Sequence, residues 1–189
     1  VLLNIAAVHG QVGNDTGDSE PPIVLWHFDG APEPGVPKVN KFEPGPRPPI
    51  YPSFAKTNSA YAFTGAKTAF TVRESDLPKA NLQFGNGDSI TLEAWVKVKE
   101  LKDGSYSYLI GKGRTRAVGF PEKNQNYALR LFGSKDEACV SFLFASQSTK
   151  DKPADWHRWT TNKGFTGDGW HHVAVCYTFG KPASVRGYI

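Results

Sequence analysis

From Ser89 to Val98 the chain alternates without a break. Ile90, Leu92, Ala94, Val96 and Val98 fall on one face, and Thr91, Glu93, Trp95 and Lys97 on the other. A period of two is the signature of a half-buried β-strand, because successive side chains leave opposite sides of the pleat. No helical stripe accompanies it anywhere in the 189 residues. Turn signals recur every ten residues or so, carried by 19 glycines and 14 prolines. Short strands at such spacing predict an all-β, two-sheet antiparallel sandwich or jelly roll.

Further strands follow from the same reasoning. Residues 23–29 end on Asp29-Gly30, residues 61–65 and 68–72 form a hairpin, and Tyr106 to Lys112 is the strand after the signature one. Asn126 to Phe132 and Cys139 to Ala145 pair around Gly133-Ser134-Lys135-Asp136, and Trp170 to Phe179 leads into a last strand at 184–189. Residues 31–52 hold eight prolines, among them Pro44, Pro46, Pro48 and Pro49. Proline cannot donate to a ladder, so this region reads as an extended surface loop.

The N-terminal residues suggest processing. There is no methionine, and Val1 to Gly10 is an apolar run closing on small residues. Residues 1–10 read as the tail of a secretory signal, with a first β-strand as the alternative. Residues 11–21 read as a polar leader, and 22–189 as the folded domain, with more sequence expected after Ile189. A secretory signal implies a secreted, periplasmic or cell-surface protein in an oxidising compartment. The formal charge of +4 comes from 22 basic and 18 acidic side chains spread along the chain, without the clustering that a nucleic-acid partner requires. No apolar run is long enough to span a membrane.

Several pieces in order carry a family resemblance. They are Trp26-His27-Phe28-Asp29-Gly30, Ala62-Phe63-Thr64-Gly65, Ser89-Ile90-Thr91-Leu92-Glu93-Ala94-Trp95-Val96-Lys97, Leu109-Ile110-Gly111-Lys112-Gly113, Tyr127-Ala128-Leu129-Arg130-Leu131 and Gly169-Trp170-His171-His172-Val173-Ala174-Val175. Together they resemble the laminin-G-like, concanavalin A-like lectin-glucanase jelly-roll domains. The resemblance implies two curved antiparallel sheets whose C-terminal strands are missing from this chain. It also implies a recognition or attachment module for extracellular glycan or protein, within a larger chain. A structural or protein-interaction module without a small ligand is the alternative, and a glucanase-like glycoside hydrolase a third.

Candidate residues divide along those readings. Retaining hydrolysis needs two carboxylates about 5 Å apart, and the outward face of the signature strand offers only Glu93. Catalysis is therefore not expected. Trp156, Arg158 and Trp159, in a stretch placed between strands, supply rings and a planar cation on which a sugar stacks, and Tyr106 joins them. Cover for a sheet edge or an open core is the alternative for these tryptophans. The family implies one structural calcium at the sandwich rim, with Asp29 as its ligand from the first strand; a plain Asp-Gly turn is the alternative. His171 and His172 are adjacent on a strand, so they face opposite ways and cannot share a metal. Cys139 and Cys176 both sit on the less apolar faces of their strands, and whether they bond is left open.

Overall fold

The computed structural model describes residues 2–11, 23–28, 42–64, 69–77, 81–113, 126–145 and 156–189, the first of these segments as backbone. Its strands form two antiparallel sheets that pack face to face. The larger comprises β1 (Leu2–Gln11), β2 (Val24–Trp26), β3 (Phe42–Pro44), β4 (Ser59–Ala62), β5 (Ser89–Lys97), β10 (Trp170–Thr178) and β11 (Arg186–Tyr188). They run in the order β11-β10-β5-β1-β4-β3, with β2 beside β1. The smaller is β6 (Tyr106–Lys112), β7 (Asn126–Ser134), β8 (Glu137–Ala145) and β9 (Trp156–Thr160), in chain order. This is the expected all-β jelly-roll sandwich.

The alternation in the sequence becomes the core. In β5, Ile90, Leu92, Ala94 and Val96 are buried, and β10 sets Val173, Val175 and Tyr177 beside them. The smaller sheet answers with Tyr127, Leu129 and Leu131 from β7 and Ala138, Val140 and Phe142 from β8. Phe142 meets Tyr177 across the interface at a ring separation of 5.6 Å. Each such buried side chain contributes roughly 1.5–3 kcal/mol over its exposed state. The β7–β8 hairpin turns on Lys135 and Asp136, both at positive φ (50° and 67°). That geometry matches the right-handed twist of the flanking strands.

Three segments differ from the sequence reading. Leu2–Gln11 is strand β1, the alternative to a signal tail: its backbone pairs with β5 from Ala6 to Gln11 and with β2 and β4 on its other side. An apolar run of this length suits a ladder as well as a signal, and composition does not separate the two. Phe42–Pro44 is a short strand despite its proline, which is tolerated because β3 is the outermost strand of its sheet. Residues 69–72 form no strand, so the expected hairpin partner of β4 is absent; β4 pairs with β1 and β3 instead. Asp29 lies outside the described residues, as do 12–22, the bulk of the expected polar leader.

Candidate functional site

Strand pairing sorts the sequence candidates onto two faces. The stretch Trp156–Trp159, expected between strands, is the start of β9, which pairs with β8. Its large residues show no apolar alternation, so the sequence hid the strand. Trp159 lies opposite Phe142 and therefore turns toward the core, while Trp156 lies opposite Ala145 and Arg158 opposite Leu143, on the outer face. Trp159 is thus a packing residue. A Cβ on Gly187 would stand 2.7 Å from its Cη2 atom, so β11 crosses Trp159 at a glycine because nothing larger fits. His157 likewise turns inward and stacks on Phe144 at 4.5 Å.

The outer face of the smaller sheet carries a continuous polar row. Register places Tyr108, Arg130, Ser141 and Thr160 side by side across β6, β7, β8 and β9. Arg130 Nη2 donates to Ser141 Oγ at 3.0 Å, and Thr160 Oγ1 donates to the same oxygen at 3.2 Å. Ser141 in turn donates to the Trp159 carbonyl at 3.1 Å. Tyr106, two residues before Tyr108 and so on the same face, places its ring 4.1 Å from the Arg130 guanidinium carbon, and Tyr108 places its own at 5.4 Å. At the far margin, Arg158 stands 5.9 Å from the Trp156 ring. Three of the four candidate residues, Tyr106, Trp156 and Arg158, therefore share one face.

Arg130 is the residue that sequence reasoning missed. It is only 3% exposed, yet no carboxylate pairs with it among the described residues, and its Nε has no hydrogen-bond partner. Its Nη1 reaches Tyr108 Oη at 3.5 Å, the long limit for a hydrogen bond. Burying an ion costs several kcal/mol even after relaxation. A desolvated cation–π contact returns about 2 kcal/mol, and a hydrogen bond to a charged group about 1.5–3 kcal/mol. Those gains roughly offset the cost and leave no surplus, so Arg130 is a poor stabiliser of the fold. Its signal in the sequence is its position in the run Tyr127 to Leu131, where alternation points it outward. What alternation does not show is that the outward face is buried there.

The outer face of the larger sheet is different. Glu93 Oε2 meets His172 Nε2 at 3.2 Å, and both side chains are partly exposed. Trp95 is covered by the proline-rich loop after β3, with Tyr51 and Phe54 edge-on at 5.7 and 5.2 Å. The Tyr51 hydroxyl donates to the Trp170 carbonyl at 2.9 Å and accepts from the Trp170 N–H at 3.0 Å. Around Trp95 this face thus sets one described carboxylate and one imidazole beside a walled tryptophan, and a second described carboxylate, Glu43, stands on the same face three strands away, opposite Ala60. His171 takes the opposite side, stacked on Phe165 at 4.1 Å, and burial pushes its pKa down.

Both cysteines are free thiols. Cys139 lies on the outer face of the smaller sheet and Cys176 on the outer face of the larger, where Thr91 Oγ1 donates to it at 3.2 Å. The parity read from the sequence holds, but the strands belong to different sheets, so no bond forms. Burial, with help from Glu137, pushes the Cys139 thiol up against the opposing bond to Thr161. At one end of the sandwich a hollow of about 160 Å³ is lined by Glu100, Asp136, Glu137 and Asp168 among others. Glu137 there accepts the Gly164 N–H at 2.9 Å. Among the described residues no cluster of three or more His, Cys, Asp or Glu is arranged to hold a metal, and no helix is long and apolar enough to cross a membrane.

Comparison with known proteins agrees with the architecture. Residues 65–189 match the profile of the concanavalin A-like lectin/glucanases superfamily, in its laminin-G form. No curated protein and no solved structure matches the chain. The matched segment contains β5 to β11, and so the whole smaller sheet and the two strands that close the core against it. With sheet order, core and profile in agreement, the chain belongs to the concanavalin A-like lectin/glucanase superfamily.

Proposed function

We propose that this domain is a non-catalytic recognition module of a secreted or surface protein, and that it binds glycan on the outer face of its smaller sheet. The observation that carries the reading is the set of exposed side chains on that face, Tyr106 and Tyr108 on β6 and Trp156 and Arg158 on β9, at the two edges of the sheet. Tyr108 is 63% exposed, and Tyr106 and Trp156 are exposed as well. Aromatic faces stack on the apolar faces of sugar rings, while hydroxyl and guanidinium groups bond the sugar oxygens. The superfamily name covers lectins and glucanases alike, so catalysis needs its own test. Glu93 meets the His172 imidazole at 3.2 Å, whereas retaining hydrolysis needs a second carboxylate about 5 Å away; among the described residues Glu43, on the same face, stands three strands off, which supports binding over hydrolysis.

The test is a glycan array probed with the domain and with Tyr108→Ala and Trp156→Ala. Both side chains are exposed, so both variants should fold. Specific binding that falls in both supports the reading. Binding that survives both substitutions, or hydrolysis that Glu93→Gln abolishes, overturns it.

A further inference from the structure

We propose that Glu93 and His172 form a binding site for a divalent transition metal of zinc's class, on the outer face of the larger sheet and independent of the glycan reading. Register sets the two on neighbouring strands. Glu93 stands opposite Ala174 and His172 opposite Trp95, so the pair meets on a diagonal. The His172 and Glu93 side chains are 39% and 32% exposed, so both reach solvent. Glu93 Oε2 and His172 Nε2 are 3.2 Å apart. A charge-assisted hydrogen bond closes to about 2.7–2.9 Å. Two donors on one tetrahedral zinc, each about 2.0–2.2 Å from the ion, stand about 3.3–3.5 Å apart. The pair is looser than the first arrangement and close to the second.

The donors suit the ion. An imidazole nitrogen with a carboxylate oxygen suits zinc, copper or nickel, whereas calcium and magnesium prefer oxygen alone. The ion enters between the two atoms. One lone pair of Nε2 and one of Oε2 each form a bond to it, and the proton they shared leaves to solvent. Water fills the remaining positions, so the site needs no third protein ligand. The imidazole is oriented beforehand: its ring lies 5.5 Å from that of Trp95, tilted by 46°, and Trp95 has Tyr51 and Phe54 against it. Cys176 shares the face but stands four residues from His172 along β10, about 13 Å away, and its thiol accepts from Thr91. It lies outside the site. As a plain ion pair, so exposed a contact adds little to stability.

The test titrates the full chain with zinc chloride by calorimetry, with magnesium and calcium chloride as controls. Zinc should bind about tenfold or more tighter than either control ion. Glu93→Gln keeps a hydrogen bond to His172 but loses the charged ligand, and His172→Ala removes the nitrogen. Each should weaken zinc binding about tenfold or more, as loss of a direct ligand exceeds loss of an outer-shell partner. Both positions are partly exposed, so both variants should fold; should His172→Ala fail, Glu93→Gln decides. Cys176→Ser and His27→Ala should leave zinc affinity unchanged. Zinc added to the isotopically labelled chain should move the amides of Glu93, Trp95 and His172. Zinc affinity that Glu93→Gln and His172→Ala leave unchanged overturns the proposal, as does its loss in Cys176→Ser. No zinc binding, or equal affinity for zinc and calcium, overturns it too.

Discussion

The guanidinium of Arg130 lies 4.1 Å from the centre of the Tyr106 ring, buried on a sheet face that points away from the core. A cation in such a place is held by ring contacts and one good hydrogen bond, with no carboxylate paired to it among the described residues. The outcome for stability can be measured. Replacing a buried ion by an apolar side chain of similar volume is often neutral or stabilising by about 1–4 kcal/mol. Arg130→Met should therefore leave the melting temperature unchanged or raise it, at roughly 2–4 °C per kcal/mol for a chain of this size. Ser141 keeps Thr160 and the Trp159 carbonyl as partners, so the substitution strands no hydroxyl. A fall of many degrees on thermal denaturation would make Arg130 a structural residue.

Packing between β11 and β9 gives a second outcome. A Cβ on Gly187 would approach Trp159 Cη2 at 2.7 Å, Cζ3 at 2.8 Å and Thr161 Cγ2 at 2.9 Å. Trp159 packs against the core and cannot swing out freely. Gly187→Ala should cost about 1–3 kcal/mol, the usual range for overpacking. Gly187→Ala combined with Trp159→Leu should recover part of that loss. Denaturant unfolding of the three variants checks the coupling, and additive losses would contradict it.

His171 sets part of the pH dependence. Burial against Phe165 lowers its pKa below the ordinary 6.5, so the folded protein keeps it neutral where the unfolded chain already binds a proton. The unfolded state then holds more protons, and stability rises with pH through that window. The contribution is present above about pH 6.5 and is lost as pH falls through the lower, folded pKa. His171→Phe should flatten this part of the profile when melting temperature is followed from neutral to mildly acid pH. An unchanged slope would show that another group carries it.

The sequence made the core legible and the functional face only partly so. Strict alternation in β5 fixed its inward set correctly, because one wet and one dry face leave a period-two trace. The turn at Lys135-Asp136 was legible because Gly133 and the polar run around it allow little else. The parity of Cys139 and Cys176 was also readable, but which sheet each strand joins is a long-range property that no local pattern encodes. β9 was missed since Trp156, His157, Arg158 and Trp159 are all large and the strand is half exposed on both faces. Arg130 escaped notice for the opposite reason. An arginine at an outward position reads as solvated, while its partners stand on the two neighbouring strands, β6 and β8.

The account's central claim is that glycan binds on the outer face of the smaller sheet, and amide chemical shifts can locate it directly. Titrating the isotopically labelled chain with the best glycan from the array should move amides around Tyr106, Tyr108, Arg130, Ser141, Trp156 and Arg158. Those of Glu93, Trp95 and His172 on the opposite outer face should stay in place. Shifts clustered on Glu93, Trp95 and His172, with β6 to β9 unmoved, would contradict the claim.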